Sequence, residues 1–257
     1  MTVSELYRNP LYYEIAFSFR DLDRQMAVME EAMDRYSRVP VTRVLEIACG
    51  NGPHVPLWLR HGRQYVGIDL SEPMLRYTER KAARCKGDAT LLQCDLADFT
   101  LDEPVDFACV LLGSLYVKTT AQLRSHFDCV ARALRPGGLY FLDWCVDFDP
   151  MTETAIGWEC ARDGIRVRTS YWTRHADRVA QTYEENVLLE IDDNGVHKRI
   201  HERCLKRAVY PQEFLLFVET HPCFEFVGWW NEWDFDQPID GADIVNRPIS
   251  LVRRTGY

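Results

Sequence analysis

Two hydrophobic patterns alternate along the first half of the chain. Residues 41–48 (VTRVLEIA), 64–69 (QYVGID), 89–95 (ATLLQCD), 105–113 (VDFACVLLG) and 138–144 (GLYFLDW) are short, nearly continuous apolar runs, as expected of strands buried on both faces. Longer segments with helical punctuation lie between them. Residues 53–61 open with Pro53, residues 71–86 are capped by Ser71 with Glu72 and Pro73 in the first turn, and residues 120–134 stop at Arg135-Pro136-Gly137-Gly138. Ahead of them, Met26, Val28, Met29, Ala32 and Met33 predict one helix over 11–38, ended by Pro40. Strands alternating with helices predict an α/β fold: a mostly parallel sheet with helices on both faces.

After Pro150 the pattern changes. Residues 156–210 read as β-segments, with turns at Arg162-Asp163-Gly164 and Asp192-Asp193-Asn194-Gly195, the second a hairpin signal. A helix over 211–221 and strands over 223–230 and 247–254 follow. The antiparallel piece is therefore expected as an insertion into the main fold. The expected division is residues 1–40 as an N-terminal helical lid, 41–150 as the ligand-binding core, 151–210 as an antiparallel β lid, and 211–257 as the last helix and two strands of the core sheet.

Charge narrows the function classes. The 257 residues carry 30 basic and 39 acidic side chains, a net charge of -9. Such a chain is poorly suited to sequence-independent binding of nucleic acid or anionic lipid, both of which need a cationic surface. No apolar run is long enough to span a membrane, and residues 1–10 lack the apolar core of a signal peptide. Nine cysteines without a CxxC pair, several inside apolar runs (Cys109, Cys129, Cys145), are expected to be buried free thiols in a cytoplasmic protein.

The sharpest chemical signal is Leu45-Glu46-Ile47-Ala48-Cys49-Gly50-Asn51-Gly52-Pro53, which follows a strand and opens a helix. Gly50 and Gly52 let the backbone approach a ligand that a Cβ would block. Nineteen residues past Gly50, Asp69 ends the second strand, where a carboxylate can accept hydrogen bonds from two ribose hydroxyls. A dinucleotide site would want a third glycine and helix amides for the pyrophosphate. Here Val55 stands at the third position, Pro53 removes an amide, and Glu46 would repel a diphosphate but suit a cationic amine. This weakens a nicotinamide dehydrogenase and favours S-adenosylmethionine.

These residues resemble the class I S-adenosylmethionine-dependent methyltransferases over about residues 41–145, with five motifs in order. Glu46, Ala48, Gly50 and Gly52 match the family's first motif, with Ala48 where the family has glycine. Asp69 matches its ribose acid in VGIDLSEPML, and Asp95 the acid beside the adenine amino group in LLQCDLADF. Residues 110–118 (VLLGSLYVK), which include Leu112, match its fourth-strand motif, and residues 134–138 its loop before the fifth strand. The resemblance implies seven strands with one antiparallel at the edge. It also implies that Leu70 or Met74 packs near the adenine, that Leu96 follows Asp95 over it, and that S-adenosylhomocysteine is the product.

The acceptor is less legible. Tyr13, Glu14 and Phe17 loosely match a helix that covers the donor in this superfamily. Residues 151–210 resemble the lid of enzymes acting on glycine or sugar amines, and such a lid suits an enclosed small molecule. Tyr13, Ser114 and Tyr116 are expected to flank the transferred methyl, with Trp144 and Cys145 nearby. The expected reaction is methylation at nitrogen or oxygen of a small-molecule acceptor, without metal. Methylation of a protein or RNA group, or a non-catalytic nucleoside-binding subunit, are the alternatives. His197 and His201, four apart in a predicted strand, make a poor metal pair. No spacing in the sequence specifies the acceptor atom or the oligomeric state.

Overall fold

A computed structural model of the chain describes residues 4–148 and 154–256. The expected boundary at 150/151 lies outside those residues. The main body is a seven-stranded sheet. Its strands are β1 (Arg43–Ile47), β2 (Gln64–Asp69), β3 (Ala89–Gln93), β4 (Val105–Val110), β5 (Leu134–Asp143), β10 (Phe224–Trp230) and β11 (Ile249–Arg254), in the order β10-β11-β5-β4-β1-β2-β3. Strands β1 to β5 run parallel. β11 is antiparallel to both β5 and β10. The antiparallel strand therefore lies second from the edge, and β10 takes the outer position.

Alternation along each strand divides the core in two. Leu45, Ile47, Val66, Ile68, Ala108, Val110, Tyr140 and Leu142 face α5 (Thr120–Ala133) and α6 (Pro211–Thr220), where Phe127, Val130, Phe214 and Val218 cover them. Val44, Tyr65, Phe107, Cys109, Leu139 and Phe141 face the other way. They meet Met26, Met29 and Met33 of α2 (Leu22–Tyr36) and Trp58 of α3 (Val55–Arg60). A fourth helix, α4 (Glu72–Ala82), begins at the Ser71 cap, whose hydroxyl accepts from the Met74 amide at 3.4 Å.

Two expectations on local structure are corrected. Residues 11–38 form two helices, α1 (Pro10–Ala16) and α2, because Asp21 caps the second by accepting from the Arg24 amide at 2.9 Å. The cluster at 135–138 is not a loop. It lies within β5, where the register to β4 slips between Val105 and Phe107 and Gly137 adopts φ +90°.

The insertion is a separate four-stranded antiparallel sheet, β6 (Ile156–Arg162), β7 (Ile165–Asp177), β8 (Thr182–Asp193) and β9 (Val196–Arg207). Both expected turns are present. Asp163-Gly164 and Asn194-Gly195 each have positive φ, as a two-residue hairpin with the right-handed strand twist requires. Helix α1 packs on this sheet: Leu6, Tyr12, Ile15 and Ala16 share a core with Val167, Leu189, Ile191 and Ile200. All nine cysteines are free thiols, and Cys109, Cys129 and Cys145 are buried. Among the described residues no helix is long and apolar enough to cross a membrane.

Candidate functional site

Sheet order reverses at β1, with β4 on one side and β2 on the other, and the carboxyl ends of these strands form the crevice where such sheets bind ligands. The glycine loop lies there. Ala48, Gly50 and Gly52 all have φ between +53° and +57°. The Gly50 amide donates to Asp69 Oδ2 at 2.8 Å, and the Ser71 amide to Oδ1 at 2.8 Å. Thr78 Oγ1 donates to the Gly50 carbonyl at 2.8 Å. A Cβ on Gly52 would fall 2.4 Å from Thr78 Cγ2, whereas one on Gly50 would project into open space. The loop is thus closed against α4 at Gly52 and open at Gly50. Burial raises the Asp69 pKa, opposed by the amides of Ser71, Gly50 and Leu70.

Glu46, expected to suit a cationic amine, is held by protein groups beneath the loop. Its carboxylate is 4% exposed and accepts from the Tyr65 hydroxyl at 3.1 Å, with His54 Nδ1 at 3.6 Å. It faces protein groups on the second side of the sheet. Asp95, beyond β3, is half-buried and accepts from the Ala97 amide at 2.9 Å. Leu96 is half-buried beside it. Leu70 is 43% exposed whereas Met74 is fully buried. Leu112 has φ +54° and its amide donates to Asp143 Oδ2 at 2.7 Å, which shapes the turn after β4.

Helix α1 forms one wall. Glu14 receives Asn51 Nδ2 at 3.2 Å from the glycine loop and Arg162 at 2.7 Å from β6, and pairs with Lys81 of α4. Burial alone would raise its pKa, but the hydrogen bonds and charges of Lys81 and Arg162 outweigh it and hold Glu14 below the usual carboxylate range. Tyr13 stacks on Phe17 at 4.6 Å, and burial pushes its pKa up. Arg20 follows the helix. Its Nε donates to the Phe17 carbonyl at 3.2 Å, and among the described residues no carboxylate oxygen lies within 4.0 Å of its guanidinium.

The opposite wall comes from the turn after β4 and from the small sheet. Ser114 is half-buried. Tyr116 donates to Glu185 Oε1 at 2.6 Å, and Tyr171 donates to Oε2 at 3.1 Å. Burial, then Glu185, raises the Tyr116 pKa well above that of a free phenol, so the hydroxyl stays protonated. Lys206 is buried and donates to the Gly113 carbonyl at 2.6 Å. Burial alone would lower its pKa, but Tyr183, Glu185 and Asp147 outweigh it and keep it cationic. Trp144 is 47% exposed and Cys145 buried. His201 lies on the far face of the small sheet, bonded to Asn186 Oδ1 at 3.0 Å and packed on Trp172 at 5.3 Å. That far face also carries a concavity of about 480 Å³ in which Arg166, Arg168, Lys198 and Arg199 are interleaved with Glu159, Glu190 and Asp192. It is not the basic patch that binding of a nucleic acid would want.

Residues 44–138 match a family model described as a methyltransferase domain. That segment is similar to methyltransferase domains, and the chain spans just under two thirds of the first curated relative it matches. A Streptomyces venezuelae dTDP-3-amino-3,4,6-trideoxy-alpha-D-glucopyranose N,N-dimethyltransferase is 31% identical over 166 residues, which cover 62% of this chain and 65% of that protein. An S-adenosylmethionine-dependent methyltransferase from Clostridium acetobutylicum has the same fold, with TM-score 0.75, 16% identity and coverage of 96% and 97%. CalS10, an amino pentose methyltransferase from Micromonospora echinaspora solved with S-adenosylmethionine bound, has TM-score 0.73, 16% identity and coverage of 95% and 96%.

The residues at this crevice fit S-adenosylmethionine. The space beside Gly50 would admit a ligand chain, Asp69 stands at its edge, and the Arg20 guanidinium lacks a carboxylate partner. Sequence reasoning missed Arg20, Glu185 and Lys206. Arg20 lies between two helices outside every motif, and Glu185 and Lys206 sit in strands where alternation marks an inward face but not a role.

Proposed function

We propose that this chain transfers a methyl group from S-adenosylmethionine to the nitrogen of a small amine, an amino sugar being the class that its relatives' names favour. The observation that carries the reading is the open side of Gly50 beside Asp69, at the switch point of the sheet. When bound, the cofactor supplies an activated methyl on a sulfonium, so the protein's task is largely to position the two reactants and exclude water.

In this reading Asp69 accepts from the ribose hydroxyls, Leu70 and Leu96 hold the adenine between them, and Asp95 accepts from its amino group. Ala48, Gly50, Gly52 and Leu112 shape the backbone around it, Glu46 and Met74 support it from behind, and Arg20 takes the amino-acid carboxylate. Tyr13, Ser114 and Tyr116 line the space between cofactor and acceptor. Residues 1–40 and 151–210 act as lids over the core of 41–150, with 211–257 completing the sheet. The free thiols fit a reducing, cytoplasmic setting. Titration calorimetry with S-adenosylhomocysteine, with NAD as control, tests the donor. Mass spectrometry of amino sugars incubated with S-adenosylmethionine tests the acceptor: the expected gain is one or two methyl groups on nitrogen, and methylation of oxygen alone would overturn the amine assignment.

A further inference from the structure

Glu185 is a buried carboxylate in the inner face of the lid sheet, 8% exposed. Two tyrosine hydroxyls hold it, Tyr116 from the core at 2.6 Å and Tyr171 from β7 at 3.1 Å. Among the described residues no lysine, arginine or histidine nitrogen lies within 4.0 Å of it. Its nearby cation, Lys206, donates to the Gly113 carbonyl and lies over the Tyr116 and Tyr183 rings, 5.5 and 5.9 Å from their centroids, so it offsets the charge of Glu185 without filling its oxygens. A carboxylate taken out of water is normally paired, because its desolvation is costly. Each oxygen retains a second lone pair after accepting one tyrosine proton.

Its surroundings are aromatic. Tyr7, whose carbonyl accepts from the Ser71 hydroxyl at 3.1 Å, stands 6.0 Å from Tyr13, which in turn packs on Phe17 at 4.6 Å. Tyr116 follows β4, whose carboxyl end lies at the crevice, so its bond to Glu185 joins the crevice to the small sheet. A box of phenol rings with a carboxylate in its wall attracts a cation through the ring faces and an N–H through the oxygens.

We propose that this box is the acceptor's amine subsite and that Glu185 is its specificity-determining residue, accepting from the nitrogen to be methylated. The proposal rests on the amine reading above. It predicts that the protein separates an amino sugar from the same sugar bearing a hydroxyl, since only the former can be cationic and offers N–H donors to a carboxylate.

The test is calorimetry on the full chain with S-adenosylhomocysteine present, using dTDP-3-amino-3,6-dideoxyglucose and its 3-hydroxy counterpart. The wild type is expected to bind the amine about tenfold or more tightly, the scale of one charge-assisted hydrogen bond. Glu185→Gln keeps the shape and is expected to abolish that preference, with S-adenosylhomocysteine affinity unchanged. Glu185→Asp, which withdraws the carboxylate by one methylene, is expected to reduce it severalfold and carries the test if the glutamine variant does not fold. Retention of the full preference in both variants would overturn the role of Glu185 while leaving the amine reading intact. A wild type that binds S-adenosylhomocysteine but shows no amine preference would overturn both the subsite and the amine reading. Failure of the wild type to bind S-adenosylhomocysteine would remove the donor reading beneath them.

Discussion

Gly50 and Asp69 are nineteen residues apart in the chain and joined by a 2.8 Å hydrogen bond from the Gly50 amide to Asp69 Oδ2. The bond ties the loop after β1 to the end of β2, so the position that would hold a ribose also fixes the loop that would pass beneath it. Asp69→Ala should therefore weaken S-adenosylhomocysteine binding through two losses, the carboxylate's own contacts and the loop's order. Charge-assisted hydrogen bonds of about 1.5–3 kcal/mol imply a loss of roughly 10–100-fold in affinity. Calorimetry checks this, and an unchanged Kd would remove Asp69 from the site.

Two of the loop's three small-residue positions, Ala48 and Gly52, should respond in opposite directions. Ala48 sits at φ +53°, a region costing a non-glycine residue roughly 1–2 kcal/mol. Ala48→Gly relieves that strain but loosens the unfolded chain by about 0.4–1 kcal/mol, leaving a small net stabilisation. Gly52→Ala adds the same backbone strain and drives a Cβ to 2.4 Å from Thr78, so it should destabilise by several kcal/mol. Denaturant midpoints of the two variants should move apart.

Glu14 joins α1, the glycine loop, α4 and β6 through Asn51, Lys81 and Arg162. Glu14→Ala should free the helix from the loop, raise amide exchange over residues 10–16, and weaken S-adenosylhomocysteine binding by roughly 5–10-fold, the low end of ordinary coupling energies. Equal exchange in variant and wild type would show that the apolar packing of Ile15 and Ala16 suffices.

His126 supplies a pH dependence. It is fully buried between the Leu96 carbonyl at 2.8 Å and the Tyr140 hydroxyl at 2.7 Å, and burial pulls its pKa from 6.5 down to about 4. The unfolded chain then binds a proton that the folded one refuses. This contribution is full above pH 6.5 and is lost as pH falls from 6.5 to 4, roughly 3 kcal/mol in all. Urea midpoints measured across that window should fall with acid in the wild type and less steeply in His126→Gln.

Which parts of this protein were written in its sequence follows from what each signal depends on. Burial on both faces makes β1, β2 and β4 continuous apolar runs, and local capping fixes the start of α4 at Ser71. The loop residues Ala48, Gly50 and Gly52 were legible because positive φ restricts residue type within a few positions. The break between α1 and α2 was missed because Asp21 competes with an unbroken helical stripe, and a side-chain cap won. The turn of Glu46 toward Tyr65 depends on the neighbouring strand, which no local pattern records. The sequence by itself determined the order of strands and helices, the glycine loop and its acid, because these rest on local backbone preference and periodicity. Only the tertiary structure decided that β11 would run between β5 and β10, and that Tyr116 after β4 would meet Glu185 of the small sheet. The Tyr116–Glu185 contact joins residues 69 apart, and its energy exists only once the small sheet is packed on the main one.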